Sequence, residues 1–304
     1  MAKCLYPLNQ SPLYKIVGLG KLEAVLGIDV TKLDRLLSPD NYRVWINAKG
    51  REIQQPLKWL AYVHKRIGNL LARIELPEYV FSKKGRSYVD NAKYHTGNYP
   101  LGKTDISSFY PSTTRQMVWR MFSGDFECAN DVADILADIC CYRQAHLPTG
   151  SSLSGRVAFF AARSMFDSVS VIANSTASRM SLYVDDITLS GPSVSKSILA
   201  DVRQVIRQHG LKTKKSKTKT FPADSPKMVT GAVVVADEVC LPNSRHKKIW
   251  ETRQAIREAA PSERVILSRS LRGRMQEAQQ IFAKGRSDQG ECRGDSFVDR
   301  STKT

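Results

Sequence analysis

Long apolar runs are missing from this sequence. No stretch approaches the ~20 residues that cross a bilayer, and no charged, apolar and small-residue leader opens it, so a cytoplasmic protein without a membrane partner is expected. The six cysteines, at 4, 128, 140, 141, 240 and 292, show no C-x-x-C spacing and have no histidine at zinc-ligand distance. That argues against a zinc module or a disulfide framework and for buried free thiols. Internal repeats are absent. Acidic residues are few: 29 Asp and Glu face 46 Lys and Arg, a formal charge of +17. Solubility does not require such an excess, so the partner expected first is a polyanion. Residues 196–304 hold 23 Lys and Arg against 12 Asp and Glu, an excess of 11 of the 17. Membrane-surface binding would also suit a basic protein, but no basic amphipathic helix stands alone at either end. With 304 residues, 42% of them hydrophobic, the chain is long enough for a sizeable core and one or two domains.

What the sequence does contain is an acidic pair in an apolar setting. In Tyr183-Val184-Asp185-Asp186, Leu182 and Val184 precede the carboxylates and Ile187 and Leu189 follow, each flank alternating with period two. This reads as a hairpin of buried strands with two carboxylates at its tip. Adjacent buried carboxylates repel by several kcal/mol unless a cation neutralises them, and hard oxygen ligands suit magnesium or manganese. A solvated surface turn is the other reading of Asp-Asp taken alone. A second aspartate, Asp105, ends the apolar segment Leu101-Gly102-Lys103-Thr104, and Phe109, Tyr110 and Pro111 start the next element. Three carboxylates from two strand ends could hold two metal ions ~3.5–4 Å apart, as in-line nucleotidyl transfer requires.

Asp105 with Phe109 and Tyr110, the loop Leu147-Pro148-Thr149-Gly150-Ser151-Ser152-Leu153-Ser154, and Tyr183-Val184-Asp185-Asp186 resemble the A, B and C motifs of reverse transcriptases, in the same order. Two further segments resemble the retron branch of that family: Asn91-Ala92-x-x-His95, whose spacing puts Asn and His on one helical face, and Val229-Thr230-Gly231. The hairpin Tyr42 to Asn47, turn 48–50 and Arg51 to Ile53, followed by a helix Leu57 to Leu71, resembles the fingers of these enzymes, with Arg51 at their basic position. Lys217-Thr218, inside a run of five lysines in eight residues, aligns with the K-T of motif D. Ser152 and Gly155 stand where the family has prolines in motif B, a departure expected to loosen the loop.

The periodicity predicts further elements. Short helices are expected near Leu22 to Leu26 and Thr31 to Leu37, with Thr31 as a cap, and others over Ser112 to Phe122, Asp131 to Tyr142 and Ser152 to Asp167. A helix capped by Ser193 or Ser195 should end at Gly210, and Met228 to Val235 reads as a strand interrupted by Gly. From Arg245 to Ala260, Ile249, Thr252, Ile256 and Ala259 form an inward stripe, with His246, Trp250, Arg253 and Arg257 on the adjacent face. A helix Ser262 to Ala283 follows, and from Lys284 the composition predicts a disordered tail.

The resemblance implies an α+β right-hand polymerase: an N-terminal helical extension (1–40), fingers (41–100), a palm with inserted fingers elements (101–228), a primer-grip-like hairpin (229–242) and a helical thumb (243–283). The implied activity is RNA-directed DNA synthesis from dNTPs on a cognate structured non-coding RNA. It starts at a guanosine 2′-hydroxyl and leaves a branched RNA–DNA product, which serves in anti-phage defence with a separate effector protein. Asp105, Asp185 and Asp186, with the Ile106 carbonyl, would hold two Mg2+ ions, Mn2+ being a possible substitute. Lys217 would act as general acid. Arg51, Lys103, Tyr110, Thr149 and Gly150 would contact the nucleotide, Tyr110 crowding a ribose 2′-hydroxyl. Asn91, His95, Val229, Thr230, Gly231, His246, Trp250, Arg253 and Arg257 would contact RNA or primer. Intron-type and diversity-generating reverse transcriptases share the aspartates, and a catalytically silent RNA-binding relative and an RNA-dependent RNA polymerase are further alternatives.

Overall fold

The structure, a computed structural model, describes residues 5–285. It divides into two compact units. Among the described residues, one comprises 5–87 and 99–223, the other 88–98 and 224–285.

The first unit opens with α1 (Leu19–Leu26) and α2 (Leu33–Leu37). A 3-10 turn precedes α2, and its cap is Asp29, whose carboxylate accepts from the Thr31 amide; the predicted Thr31 cap is thus displaced by two residues. The hairpin of β1 (Tyr42–Ile46) and β2 (Glu52–Pro56) follows. Asn47 shapes its turn by accepting from the amides of Lys49 and Arg51, and Gly50 takes the left-handed conformation. Helix α3 (Lys58–Leu71) buries Leu60, Val63, His64, Ile67 and Leu71 along one stripe. In the second unit, α4 (Tyr88–Tyr94) carries Asn91, with His95 one residue past its end.

Back in the first unit, β3 (Leu101–Asp105) leads to α5 (Phe109–Ser112), α6 (Arg115–Arg120) and a π-helical turn at Met121–Asp125, then α7 (Asn130–Cys140). The helix expected over Ser112 to Phe122 is therefore broken at Thr113. The one expected over Ser152 to Asp167 is two helices, α8 (Ser154–Ala161) and α9 (Arg163–Ser175), separated at Ala162. No Gly or Pro marks that break. Aromatic packing accompanies it: Phe159 stacks across the break on Phe166 at 5.9 Å, and Phe160 meets Phe126 edge-on at 5.8 Å. Strands β4 (Arg179–Tyr183) and β5 (Asp186–Ser190), helix α10 (Lys196–Gln208, capped by Ser195) and β6 (Lys219–Phe221) complete the unit. Its sheet is antiparallel, ordered β4-β5-β3-β6, with Leu101, Leu182, Ile187 and Leu189 in the core. Gly102 allows a close approach where α10 crosses the sheet, since a Cβ there would press on Leu199 side-chain carbons at 3.0–3.1 Å.

The second unit's sheet joins β7 (Lys227–Val229), β8 (Ala232–Val235) and β9 (Glu238–Cys240), all antiparallel. The glycine-interrupted strand predicted here is two strands of a hairpin, because Thr230 and Gly231 form its turn. Helices α11 (Asn243–Glu258) and α12 (Pro261–Gly285) follow. The tail from Lys284 lies almost wholly outside the described residues, α12 reaching Gly285. Cys128, Cys140 and Cys141 are buried free thiols and Cys240 is half-buried. No described helix is long and apolar enough to cross a membrane.

Candidate active site

The sheet of the first unit brings two of the three aspartates to one cavity. Antiparallel pairing sets Asp105 opposite Asp186 and Tyr183 opposite Asp186, so the end of β3 lies beside the β4–β5 turn. The Ile106 amide donates to the Asp185 carbonyl at 3.0 Å and fixes that juxtaposition. Asp105, Ile106, Tyr110, Asp185 and Lys217 line a cavity of about 720 Å3, and Arg51 and Thr149 line it from the hairpin and the motif B loop. Lys103 and Asp186 are not among its walls. They form an adjacent pair, Lys103 Nζ lying 4.0 Å from Asp186 Oδ2.

The electrostatics are those of crowded, poorly solvated carboxylates. Burial, then Asp105, pushes the Asp185 carboxyl up to about 6. Asp186 is also raised by burial, with Lys103 opposing the shift. Lys217 Nζ donates to Asp105 Oδ2, and this bond raises the pKa of the lysine. Burial, then Asp185, raises that of Tyr110. Among the described residues no three Asp, Glu, His or Cys side chains converge as a ligand set. Asp105 is turned to Lys217 and Asp186 to Lys103, two ammonium groups partly meeting the demand for positive charge. The donors themselves suit a hard divalent cation, since they are carboxylate oxygens on strand ends joined by backbone hydrogen bonds.

Backbone bonding explains how the lysine run reaches the site. The Lys214 amide donates to the Asp105 carbonyl at 2.9 Å, the Ser107 amide to Lys212 at 2.7 Å, and Thr104 and Thr218 hydroxyls meet at 2.9 Å. Lys217 is thereby placed in the cavity, although its composition alone would make the run a solvated one.

The motif B loop is fastened by residues that sequence reasoning missed. The Thr149 amide donates to Gln54 Oε1 at 2.9 Å, its hydroxyl to the Glu52 carbonyl at 2.8 Å, and the Gly150 amide to the Gln54 carbonyl at 3.1 Å. A Cβ on Gly150 would sit 2.8 Å from that carbonyl oxygen, so glycine is obligatory. His64, fully buried on α3, holds the loop from the other side. The Ile139 carbonyl, 2.7 Å from Nε2, can only accept, so Nε2 carries the proton and Nδ1 accepts from the Ser151 hydroxyl at 2.7 Å. Burial lowers the pKa of His64 to about 4 and keeps it neutral. Ser154 donates to the Pro148 carbonyl at 2.6 Å. Hydrogen bonds thus tie down a loop that lacks the expected prolines. The i, i+4 apolar stripe of α3 containing His64 was the one sequence signal pointing to it.

The remaining candidates lie in the second unit. Asn91 is fully buried. Its Nδ2 donates to Thr230 Oγ1 at 3.3 Å, while Thr230 Oγ1 donates to the Tyr88 carbonyl at 2.9 Å. The two segments resembling retron enzymes are therefore bonded to each other. His95 is buried, Val229 is buried in β7, and Gly231 occupies the turn. On α11, Thr252 is buried and Ile249 and Ile256 are half-buried, as is Ala259 just past its end; His246, Trp250, Arg253 and Arg257 are exposed, Trp250 by 62%.

The chain is similar to curated retron reverse transcriptases. It is 27% identical over 218 residues to retron Ec86 reverse transcriptase of Escherichia coli, covering 68% of each chain. To retron Se72 reverse transcriptase of Salmonella heidelberg it is 27% identical over 220 residues, 67% of this chain and 57% of that one. To retron Ec48 reverse transcriptase of Escherichia coli it is 28% identical over 168 residues, 54% of this chain and 41% of that one. The match thus spans little more than half of the second relative and less than half of the third. No family model matches. Apo telomerase from Candida tropicalis, truncated from its C-terminal domain, is 13% identical with a TM-score of 0.48, covering 70% of this chain and 58% of that one, a likeness too slight to bear on the fold. These relatives are reverse transcriptases, and the carboxylate-tipped sheet is in keeping with that likeness. Within that class, the similarity is to the retron enzymes, as the motifs indicated.

Proposed function

We propose that the chain is an RNA-directed DNA polymerase of right-hand architecture that copies a structured cognate non-coding RNA into DNA. The observation that carries this reading is the meeting of Asp105, Asp185, Tyr110, Arg51 and Lys217 around one cavity. Asp105, Asp185 and Asp186, with the Ile106 carbonyl, would hold Mg2+, or Mn2+ in its place. Such ions supply charge neutralisation for the attacking and leaving oxygens of nucleotidyl transfer. In that step a primer hydroxyl attacks the α-phosphorus of a dNTP and the bond to pyrophosphate breaks. Arg51 grips triphosphate oxygens through its forked donors. Lys217, kept protonated by Asp105, supplies the proton that the leaving pyrophosphate takes. Thr149 and Gly150 position the incoming nucleotide through a loop that His64 and Gln54 hold still. Tyr110 excludes the ribose 2′-hydroxyl by contact.

In the second unit, Asn91, His95 and Val229 are buried and act from inside, Asn91 holding Thr230, so that the turn Thr230-Gly231 is the part that meets primer or RNA. The exposed His246, Trp250, Arg253 and Arg257 clamp the cognate RNA by stacking and phosphate contact. Similarity to retron enzymes supports priming within that RNA, a branched product and a role in anti-phage defence with an effector protein. The test is extension by the double variant Asp185→Asn, Asp186→Asn. Extension should fall by orders of magnitude while RNA binding persists; near wild-type extension would remove the aspartates from the mechanism.

A further inference from the structure

Many cations of the first unit face carboxylates or the site. Arg115 pairs with Asp134 and Asp138, Arg86 with Glu78, Arg163 with Asp167 and Lys217 with Asp105. The outer face of α3 is different. Tyr62, Lys65, Arg66, Asn69, Leu70 and Arg73 line a groove of about 340 Å3 in which no carboxylate takes part. Among the described residues neither Lys65 nor Arg73 forms an ion pair. Cations near a helix C-terminus complement its dipole, and that accounts for part of the cluster. Arg66 is used structurally, donating to the Val25 carbonyl. Arg73 is not explained in this way. Its guanidinium lies 4.8 Å over the Tyr6 ring, and its buried Nε has no hydrogen-bond partner. Tyr6 is in turn anchored, its hydroxyl donating to the Leu70 carbonyl at 3.0 Å and its amide to the Arg73 carbonyl at 3.0 Å. The guanidinium is thereby held against the Tyr6 ring at the groove wall. Tyr62, which lines the same groove and is 52% exposed, offers an aromatic face.

From this arrangement we infer that the outer groove of α3 is a second RNA-binding surface, separate from the polymerase cavity, in which Lys65 and Arg73 contact phosphates and Tyr62 stacks on a base. This rests on the reading that the chain works on RNA. Flat, unpaired guanidinium and ammonium groups suit successive phosphates, and an adjoining ring gives sequence-tolerant stacking. A protein partner fits less well, because interface cores are depleted of lysine and rich in apolar contact, whereas Leu70 is the one aliphatic residue here.

The test measures binding of the full chain to a fluorescein-labelled RNA hairpin with single-stranded flanks, across a series of salt concentrations. Lys65→Gln with Arg73→Gln should weaken binding roughly tenfold and make the slope of log K against log salt shallower by about 1.4, two single-strand phosphate contacts having been lost. Tyr62→Leu should weaken binding about fivefold or more without changing the slope. Because Arg73 also packs on Tyr6, Lys65→Gln alone, at an exposed position, is the second variant, with a slope change of about 0.7. Wild-type affinity and slope in both lysine variants would overturn the inference. So would a loss confined to a DNA strand of the same sequence. The readout is binding, so its failure is distinct from failure of the extension assay that tests the polymerase reading.

Discussion

Two hairpin turns, one in each unit, put a β-branched residue in the left-handed region, and they handle the cost differently. At the β4–β5 tip Val184 has φ of 61°, followed by Asp185 and Asp186. At the β7–β8 tip Thr230 has φ of 44° and Gly231 of 93°, the positive pair that a tight two-residue turn demands. A β-branched residue there costs on the order of 1–2 kcal/mol. Thr230 offsets this with the two hydrogen bonds of its hydroxyl to Tyr88 and Asn91. Val184 has no polar side-chain atom, and its conformation is imposed by the strand pairing on either side and by the Ile106–Asp185 bond. The difference teaches where each turn puts its stability. The second spends its side chains on internal satisfaction, whereas the first leaves them strained, charged and turned to a cavity, as a working site does.

The largest expected effect on this contrast comes from charge at the first tip, where the Asp185 and Asp186 double variant should lose extension without unfolding. Next is the cavity beside it. Tyr110→Ala should raise ribonucleotide incorporation by roughly tenfold or more in competition with dNTPs, since a steric barrier is removed; an unchanged preference would take Tyr110 out of the nucleotide's path.

At the second tip, Thr230→Val keeps the shape but removes the hydroxyl's hydrogen bonds with the Tyr88 carbonyl and the buried Asn91 amide. Unfolding of the chain should become easier by about 1–3 kcal/mol, and a variant as stable as wild type would mean that these hydrogen bonds do not hold the turn.

His64 sharpens the comparison through pH. Its folded pKa, about 4, lies below the unfolded value near 6.5, so its contribution is present above pH 6.5 and is lost as pH falls toward 4. Between pH 7 and pH 5 the wild type should lose about 2 kcal/mol more stability than His64→Gln, which cannot charge. Parallel losses in chemical denaturation at the two pH values would show that His64 is not held neutral.

The smallest effect is expected from Val184→Gly, which removes the strained side chain. Stability should rise by at most about 1 kcal/mol, because glycine's extra chain entropy offsets part of the relief. A clear destabilisation would mean that Val184 is held by packing rather than tolerated under strain.

Much of this was legible in the residues alone. Leu182, Ile187 and Leu189 marked a buried hairpin with Asp185 and Asp186 at its end, although Val184, read with them as strand, sits half-buried in the turn, and the helical stripe Ile249, Thr252, Ile256 and Ala259 marked the inward side of α11. Such patterns are local, because they follow from the period of a strand or helix. What the tertiary structure alone decided is of another kind. The break at Ala162 leaves no Gly or Pro to be read and coincides with contacts among distant phenylalanines. The bond between Asn91 and Thr230 spans 139 residues, and that between His64 and Ser151 spans 87. The pairing of the lysine run with the end of β3 turned a tract that composition makes solvated into one wall of the site. Hydrogen bonds and aromatic contacts between remote segments depend on where the chain returns, and periodicity carries no record of that. The sequence by itself determined which residues carry charge and which face is apolar; only folding decided that Asp105 would meet Lys217 and Asp186 would meet Lys103, because ion pairs form between whichever charges the sheet register brings together.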